Sequence, residues 1–475
     1  MIHFGTGGWR AVIADGFTKA NIQLLAAALA EVIRERGEQD RGVCIGYDRR
    51  FLSRESAVWA AEVLAGAGVV CRVLEQEAPT PLIMFAVERL ELPWGMAVTA
   101  SHNPAVYNGI KVFTAGGRDA VKEVTDDLER RAERMERAGG VIPAVRYEEG
   151  LRTGMIRTLN LTNEYIDSIL DVVDLEAIKQ AHLKVAIDPL YGVGKTCLST
   201  ILMTARCEVE MIHTRRDTLF GGKLPAPTEE TLQGLSMFVT DHDFDLGVAT
   251  DGDADRIGVV DDRGKYIAAN QLLVLLYYYL MKYKGWRGDA VRNNSTTCLL
   301  DRVAQAFGQT CHEVPVGFKH VSAKMQETDA IIGGESSGGL TVRGHIHGKD
   351  GIYAATLLVE MQAVTGKRLS ELYREITDRF GSLSTVERSY TMTPERKAEL
   401  LEKVYQRREL PDLPFAVERT SFEDGGKAYF QNGGWVICRF SGTEPLLRIC
   451  AEMERREDAE ACLRAFEAFL DLNAR

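Results

Sequence analysis

The sequence has no regular pattern of cysteine. Nine cysteines are scattered through its 475 residues, from Cys44 to Cys462, and none are spaced as Cys-x-x-Cys. An odd number of dispersed thiols predicts neither a disulfide framework nor a zinc site. Free thiols persist in a reducing compartment, so we expect a cytoplasmic protein.

Long hydrophobic runs and an excess of basic residues are also lacking. The most apolar stretch, residues 272–281, is too short to span a bilayer and is predicted to be a buried helix. The first residues contain no basic segment followed by an apolar core, so we expect no signal peptide. The formal net charge of −11 disfavours general nucleic-acid binding, which needs a basic face. We therefore expect no membrane partner and no nucleic-acid partner.

The length and the hydrophobic periodicity divide the chain into four segments. At about 150 residues per domain, the length predicts three or four domains. Residues 1–150, 151–262 and 263–382 each alternate strand-like and helix-period stretches, which is typical of α/β domains. Residues 383–475 carry three strand-like runs followed by a helical run, which predicts a smaller α+β domain.

The stretch Thr-Ala-Ser-His-Asn-Pro at residues 99–104 follows a short apolar run. It places Ser101 where a strand leaves its sheet. Pro104 biases the residue before it towards an extended backbone, so we expect the serine on an exposed turn, where it can carry a covalent group. Taken alone, the pattern is more typical of a turn or a helix cap.

A second loop carries Asp251, Asp253 and Asp255 at alternate positions, separated by glycine and alanine. This spacing lets three carboxylates converge on one small hard cation, and we expect Mg²⁺. The alternative is a solvated acidic turn, but three uncompensated carboxylates repel one another. A phosphoryl group on Ser101 is a natural further ligand for the cation.

A glycine-rich loop follows at residues 333–339. It presents Glu335 and Ser337, an acceptor and a donor suited to vicinal sugar hydroxyls. A glycine-rich hairpin with a capping serine would have the same sequence pattern, so both interpretations stay open here.

The fourth loop, residues 439–448, combines two arginines, two hydroxyls and a glycine. Arginine forks match a phosphate group, although a structural turn with solvated arginines is the alternative. A hydrolase needs no second phosphate site, whereas moving a phosphoryl group between two positions of one sugar does. The four loops together therefore favour a phosphoryl transfer within a sugar phosphate.

These loops resemble those of the α-D-phosphohexomutase superfamily, and within it the phosphoglucomutase/phosphomannomutase branch. They occur in the family's order, one per segment, and residues 4–10, 108–111 and 317–319 also resemble family stretches. The resemblance covers essentially the whole chain. It implies an α/β fold, with three similar mixed α/β domains plus a smaller C-terminal α+β domain around a central active-site cleft.

The resemblance also implies a mechanism and a set of site residues. A phosphoryl group passes from Ser101 to O1 or O6 of a hexose monophosphate, and the other phosphate of the bisphosphate returns to the serine. Mg²⁺ and glucose 1,6-bisphosphate, as intermediate and activator, are the expected cofactors. The implied roles are catalysis for Ser101, Lys111, Arg10 and His320; metal binding for Asp251, Asp253, Asp255 and Ser101; substrate binding for Glu335, Ser337, Lys319, Arg256 and Asn103; and phosphate binding for Arg439, Ser441, Gly442, Thr443 and Arg448.

Two features bear on the choice of sugar. Many phosphomannomutase-like members have histidine where Gly339 stands, and residues 344–351 resemble a form typical of glucose-type mutases. We therefore expect a phosphohexomutase that interconverts glucose 1-phosphate and glucose 6-phosphate. We expect it to be a monomer or a homodimer. The alternatives are a mutase for mannose or glucosamine phosphates, a Mg²⁺-dependent sugar-phosphate phosphatase and a non-catalytic sugar-phosphate binder.

Overall fold

The computed structural model describes residues 2–5, 7–440 and 446–472. Four separate sheets follow one another along the chain, and helices pack against them. Three of the sheets mix parallel and antiparallel strands, and the last is entirely antiparallel. The predicted α/β class, with a smaller α+β unit at the C-terminus, is confirmed.

The first sheet has eight strands. They are β1 (Phe4–Gly5), β2 (Gly8–Val12), β3 (Val43–Tyr47), β4 (Cys71–Leu74), β5 (Trp94–Val98), β6 (Tyr107–Thr114), β7 (Arg118–Asp119) and β8 (Ile156–Leu159). Their order is β1-β2-β6-β5-β3-β4-β8, with β7 beside β6. The accompanying helices are α1 (Lys19–Glu35), α2 (Ser53–Gly66), α3 (Thr80–Arg89), α4 (Lys122–Ala138) and α5 (Tyr147–Thr153).

Local sequence explains the elements that form the centre of this sheet. Strands β3 and β5 are buried along their whole length, as expected for uninterrupted apolar runs between two helical layers. Helix α1 begins after Thr18, whose side chain accepts a hydrogen bond from the Asn21 N–H, and its apolar stripe faces the core. The loop that carries Ser101 leaves the carboxyl end of β5, where ligands bind in α/β sheets.

The second sheet has five strands in the order β10-β9-β11-β12-β13. They are β9 (Lys184–Asp188), β10 (Glu208–Met211), β11 (Leu246–Thr250), β12 (Ile257–Asp261) and β13 (Tyr266–Ile267). Helices α6 (Thr162–Leu170), α7 (Leu175–Ala181), α8 (Lys195–Thr204) and α9 (Gln233–Asp241) belong to the same part of the chain. Strands β11 and β12 are antiparallel neighbours, so the aspartate loop is the connection of a hairpin.

The third sheet has four strands in the order β15-β14-β16-β17. They are β14 (Ala290–Asn293), β15 (Cys311–Val314), β16 (Ile332–Gly334) and β17 (Leu340–Val342). The helices are α10 (Ala269–Lys282), α11 (Leu299–Ala306), α12 (Phe318–Thr328), α13 (Gly351–Thr365) and α14 (Leu369–Phe380). The glycine-rich loop with Glu335 joins the antiparallel pair β16 and β17.

The fourth sheet is antiparallel, in the order β18-β22-β21-β20-β19. Its strands are β18 (Ser384–Thr391), β19 (Val417–Ser421), β20 (Gly426–Phe430), β21 (Trp435–Phe440) and β22 (Leu446–Met453), with helices α15 (Pro394–Leu401) and α16 (Arg456–Phe469). The three expected strands are present. The two additional strands lie at the edges and are largely exposed, so they carry little of the apolar alternation that identifies a strand in sequence.

The first three sheets share a continuous hydrophobic core. One cluster includes side chains of α3, β9, β11, α10 and α13, and α10 is buried on all sides from Leu272 to Met281. The first sheet includes β8, which lies after the predicted boundary at residue 150, and the second includes β13, which lies after the predicted boundary at residue 262. Sheet membership therefore does not establish the predicted domain boundaries, which remain predictions. Among the described residues, no helix has both the length and the apolar character needed to cross a bilayer.

Candidate active site

Ser101 and the aspartate loop, which belong to different sheets, are in direct contact. The Ser101 Oγ donates a hydrogen bond to Asp251 Oδ2 at 2.7 Å and lies 3.3 Å from His102 Nδ1. Burial, followed by Arg256 and Arg10, holds the pKa of His102 well below its ordinary value, so the imidazole is neutral at pH 7. Gly252 permits the approach, because a Cβ at that position would lie 2.6 Å from the Ser101 carbonyl oxygen.

The three aspartates of this loop are buried and converge. One carboxylate oxygen from each of Asp251, Asp253 and Asp255 lies within 4.8 Å of the others. Burial and the neighbouring carboxylates raise the pKa of Asp251 well above its ordinary value. The Oδ1 atoms of Asp253 and Asp255 are buried without a hydrogen-bond partner among the described residues. Hard oxygen ligands with unmet acceptor capacity fit a small divalent cation such as Mg²⁺.

Two lysines and a threonine bind the opposite oxygens of the same carboxylates. Lys111 Nζ lies 2.7 Å from Oδ2 of Asp253 and 2.7 Å from Oδ2 of Asp255. Lys349 Nζ lies 2.9 Å from Asp255 Oδ2, and Thr80 Oγ1 donates to Asp253 Oδ2 at 2.7 Å. These donors orient the carboxylates so that their Oδ1 atoms remain available to a cation.

The charges in this group stabilise one another. Burial lowers the pKa of Lys111, but Asp253 and Asp255 outweigh that effect and raise it above the ordinary value. Burial likewise opposes ionisation of Asp255, but Lys111 and Lys349 hold its pKa well below the usual range. Lys111 is therefore protonated and Asp255 ionised at neutral pH.

The side chain of Lys349, which contacts Asp255, passes directly beside Gly339. A Cβ at residue 339 would lie 2.2 Å from the Lys349 Cδ, so a larger residue there would compete with the lysine chain. The sequence singled out Gly339 as a departure from the family but did not predict Lys349 as a site residue. The sequence feature that could have identified Lys349 is the stretch 344–351, which contains this lysine and resembles the form of glucose-type mutases.

Glu335 is held at the wall of the neighbouring cleft. Its Oε1 accepts hydrogen bonds from the Asn293 side-chain amide at 3.0 Å and from the Gly317 N–H at 3.0 Å. The glycine-rich loop thus presents a fixed carboxylate, with Ser337 beside it in the cleft lining. The arrangement suits recognition of hydroxyl groups.

Arg439 and Arg448 lie opposite each other on the paired strands β21 and β22. Both line the same cleft as Glu335, from the side of the fourth sheet. The Arg439 Nε lies 3.8 Å from an oxygen of Asp424, so this guanidinium is only loosely paired. The predicted phosphate ligands Ser441, Gly442 and Thr443 lie outside the described residues.

Described residues from each of the four motifs line one cavity of about 200 Å³, namely His102, Asn103, Arg256, Glu335, Ser337, Arg439 and Arg448. Ser101 and the three aspartates are buried and are not among its lining residues. Its cationic lining is contributed by Arg10, Lys111, Arg256, Lys349, Arg439 and Arg448, and its acidic lining by Asp119, Glu335 and Glu387. The predominance of cations meets the requirement for local positive charge in a chain whose net charge is −11. Such a cavity fits a small anionic ligand.

The remaining predicted residues are distributed unevenly around the cleft. Arg10 donates to Asn103 Oδ1 at 2.6 Å, and both line the cavity. Lys319 lines a smaller adjoining cavity together with Lys111. His320 is half-buried and, among the described residues, does not contribute to the lining of either cavity.

Asp119 and Thr80 are two further residues that sequence reasoning did not identify. Asp119 lies at the end of β7 and lines the cleft, and burial raises the pKa of its carboxyl group. Thr80 begins α3 and reaches the aspartate loop from the first sheet. Neither residue belongs to a recognisable motif, since each reaches the site through the packing of separate sheets.

Family models match four consecutive parts of the chain. They describe the α/β/α domains I, II and III of phosphoglucomutase/phosphomannomutase at residues 1–138, 163–264 and 268–380, and the C-terminal domain at residues 388–468. Together the matches cover most of the sequence.

Individual relatives agree with the family models. A phosphoglucomutase/phosphomannomutase from Thermococcus kodakarensis is 31% identical over 465 residues, covering 97% of this chain and 96% of the relative. A Methanothermobacter thermautotrophicus protein assigned as a phosphoglucosamine mutase is 30% identical over 464 residues, covering 96% of this chain and 95% of the relative. The crystal structure of a Thermus thermophilus protein assigned as a phosphomannomutase has a TM-score of 0.84 and 31% identity, covering 99% of both chains. The chain therefore belongs to the phosphoglucomutase/phosphomannomutase family of the α-D-phosphohexomutase superfamily and is an isomerase of that class.

Proposed function

We propose that the protein interconverts hexose 1-phosphate and hexose 6-phosphate through a phosphorylated Ser101 and a hexose 1,6-bisphosphate, with glucose phosphates as the preferred substrates. The observation that carries this proposal is the contact between the buried Ser101 and Asp251, because the residues next to Ser101, His102 and Asn103, line the same cleft as Arg439 and Arg448. A bisphosphate has two anionic ends. Cationic lining residues come both from the first sheet, with Arg10 and Lys111, and from the fourth sheet, with Arg439 and Arg448, which supports one cationic site for each end.

At the transfer end, Ser101 is the proposed phosphoryl carrier and Asp251, Asp253 and Asp255 the proposed ligands of Mg²⁺. When bound there, the cation would offset negative charge on the transferring group. Phosphoryl transfer depends mainly on positioning and charge, and Lys111 and Arg10 add fixed positive charge beside the serine loop. Because Lys111 is protonated and bonded to two aspartates, its geometry supports charge stabilisation rather than proton abstraction.

At the sugar, Glu335 and Ser337 are the proposed hydroxyl ligands. The two hydrogen bonds to Glu335 Oε1 hold the carboxylate in place at the cleft, so this side chain need not move when a sugar hydroxyl binds. Arg256, Asn103 and Lys319 are proposed to complete the substrate contacts. Arg256 and Asn103 are supported by their place in the cavity lining, and Lys319 by its place in the adjoining one.

At the far end, Arg439 and Arg448 are the proposed ligands of the phosphate that is not transferred. Their opposed positions on neighbouring strands let two planar guanidinium groups face one phosphate. Ser441, Gly442 and Thr443 are proposed partners from the intervening loop. After the first transfer the bisphosphate must turn end for end. Because both of its ends carry a phosphate, either end can bind at either of the two proposed cationic sites.

We propose His320 as the general acid or base. Burial and then Lys319 lower the pKa of His320, so its imidazole is able to accept a proton at pH 7. His320 remains our proposal for this role although it lies outside the cavity lining.

Glucosamine phosphate is the second candidate substrate. Relatives from Methanothermobacter thermautotrophicus and Pyrococcus abyssi are assigned as phosphoglucosamine mutases and align with almost the entire chain. The two sugars differ at C2, so one hydrogen-bonding group decides between them. Residues 344–351, which resemble the glucose-type form, support glucose.

The test is a parallel assay of the α-1-phosphates of glucose, mannose and glucosamine with Mg²⁺ and a trace of the matching 1,6-bisphosphate. We expect rapid conversion of glucose 1-phosphate that stops when a chelator is added. A clear preference for glucosamine or mannose would overturn the substrate but retain the mechanism. Steady release of inorganic phosphate without isomer formation would indicate a phosphatase, and binding without turnover would indicate a sugar-phosphate binder.

A further inference from the structure

Ser101 has an unusual backbone conformation. Its φ is +51°, in the left-handed region that residues with a side chain rarely adopt. Such conformations cost free energy and persist where surrounding contacts hold them. In this protein one set of polar side chains binds the Ser101 N–H, and another side chain binds the Ser101 carbonyl oxygen.

The first group binds the Ser101 N–H. That N–H donates to Thr99 Oγ1 at 2.8 Å, and the Thr99 hydroxyl donates in turn to Asp48 Oδ2 at 2.7 Å. Asp48 is itself buried, and its other oxygen accepts from the Ser53 hydroxyl at 2.7 Å. The hydrogen-bonded chain therefore ends on a fixed carboxylate at the end of β3.

The second group binds the Ser101 carbonyl. Arg50 Nη2 donates to the Ser101 carbonyl oxygen at 2.6 Å and to the Asn103 carbonyl oxygen at 2.6 Å. Its Nη1 donates to the Pro104 and Tyr107 carbonyl oxygens at 2.9 and 3.0 Å. One planar guanidinium thus binds three carbonyls of the serine loop and the first carbonyl of β6, which the point charge of a lysine does not reproduce.

Asp48 connects the two groups. The Arg50 Nε lies 3.4 Å from Asp48 Oδ2, the oxygen that also accepts from Thr99. Arg50 is fully buried and its guanidinium lies 4.9 Å from the ring of Phe220, which belongs to the second sheet's part of the chain. The serine loop is thereby connected to the end of β3 through Asp48 and, through Arg50, to the segment that carries Phe220.

We propose that Asp48, Arg50 and Thr99 are positioning residues that hold Ser101 in its left-handed conformation and so direct its Oγ at Asp251. The inference rests on the proposed function, in which Ser101 carries the phosphoryl group. Within the described part of the chain, the cleft lining includes none of the three side chains. Their effect on the reaction passes through the backbone of residue 101.

A valine at residue 99 tests the proposal with the smallest change in shape. Thr99→Val removes the acceptor for the Ser101 N–H and retains the volume, whereas Thr99→Ser retains the hydroxyl. Thr356→Val is the matched control, since Thr356 is equally buried and its hydroxyl donates to a carbonyl within α13. Misplacement of a reacting group by about 1 Å costs about 100-fold in rate.

The expected kinetic result is a split between kcat and KM. We expect Thr99→Val to lower kcat by about 100-fold with KM for the hexose phosphate changed less than about threefold. Thr99→Ser should recover most of the loss, and Thr356→Val should match the wild type. A merely structural role predicts instead that Thr99→Val lowers the melting temperature and leaves kcat unchanged, which would overturn the proposal.

A crystal structure of Thr99→Val separates this inference from the proposed function. We expect residue 101 to leave the left-handed region and its Oγ to move away from Asp251. Retention of φ near +51° with an unmoved Oγ would overturn the positioning role whatever the activity. Peptide mass spectrometry of the wild type tests the other claim, because turnover without phosphate on residue 101 would overturn the role of the serine and leave the structural result to decide the positioning role.

Discussion

Ser101 Oγ lies 2.7 Å from Asp251 Oδ2, although the two residues are 150 positions apart in the sequence. The contact joins the loop after β5 to the hairpin between β11 and β12. It places the Ser101 hydroxyl, which we propose as the phosphoryl carrier, beside a buried group of three carboxylates. The proposed phosphoryl transfer needs a carrier hydroxyl and a cation site in one place, and this contact supports that proposal.

Replacement of Ser101 by alanine should abolish activity without unfolding the protein. The hydroxyl binds groups of the site, so the core loses no packing, and the left-handed backbone is as demanding for alanine as for serine. We expect turnover to fall by at least about 1000-fold with a melting temperature within a few degrees of the wild type. Ser199→Ala, at a buried helical serine, is the control and should retain full activity. Gross unfolding of Ser101→Ala would contradict the loop placement.

Asparagine in place of Asp253 should weaken the response to Mg²⁺. The change removes one charge from the group of carboxylates and disturbs the hydrogen bonds from Lys111 and Thr80. We expect the apparent Mg²⁺ affinity to fall at least about tenfold, measured by calorimetry and by titration of activity. Asp245→Asn, just before the opposite end of β11, is the control. An unchanged Mg²⁺ affinity would argue against a metal site at this loop.

Alanine in place of Gly339 should displace Lys349 from Asp255. The new Cβ would lie 2.2 Å from the Lys349 Cδ, and the flexible lysine chain must move because the Gly339 carbonyl is hydrogen-bonded to the Glu335 N–H. We expect kcat to fall about tenfold, as for other changes to groups that orient metal ligands. Gly234→Ala on α9, where the nearest atom would be 3.8 Å away, is the control.

The same pair of residues provides a second check. In a Lys349→Ala background the obstructing chain is absent, so Gly339→Ala should cause no further loss of activity. Additive losses in the double variant would show that the glycine acts independently of the lysine.

Glu375 should contribute stability that is lost in acid. Hydrogen bonds from Lys282 and then Lys367 lower the pKa of Glu375 from 4.5 to about 2. A carboxyl group whose pKa is depressed in the folded state stabilises it above the unfolded pKa, and the contribution disappears as the pH falls from about 4.5 towards 2. We expect Glu375→Gln to lower the free energy of unfolding at pH 7 by about 1 kcal/mol, allowing for partial exposure.

Urea unfolding at pH 7 and at pH 3 measures this effect. The difference between wild type and Glu375→Gln should shrink as the pH is lowered. Glu418→Gln, at an exposed position of β19, should leave the free energy of unfolding unchanged at both pH values. An equal difference at the two pH values would contradict the assignment of the effect to ionisation of Glu375.

Much of the fold was predictable because its elements have strong local patterns. The buried helix α10 and the strands β5 and β11 are continuous apolar runs, and the helix α1 has a clear apolar stripe. The edge strand β19 was missed because its five residues are almost entirely exposed. Sheet membership is also weakly encoded, since β8 joins the first sheet through pairing with β4.

The set of polar groups that each loop carries was determined by the sequence alone. Asp251, Asp253 and Asp255 converge because alternate residues of one short loop share a side, and the paired arginines lie on adjacent strands of one hairpin. Short-range spacing is sufficient for such sets. The apolar strand also places Ser101 correctly at a strand end, but the expectation of an exposed turn was wrong, because Ser101 is fully buried against the aspartate loop.

Only the tertiary structure decided which loops meet and how they are held. The contacts from Thr80 and Lys349 to the aspartates, and from Arg50 to the serine loop, join residues that no motif connects. Such contacts depend on how whole sheets pack against one another, which is the sum of many weak side-chain interactions spread over the chain. A local pattern therefore specifies the polar groups of the candidate site, and long-range packing specifies their positions.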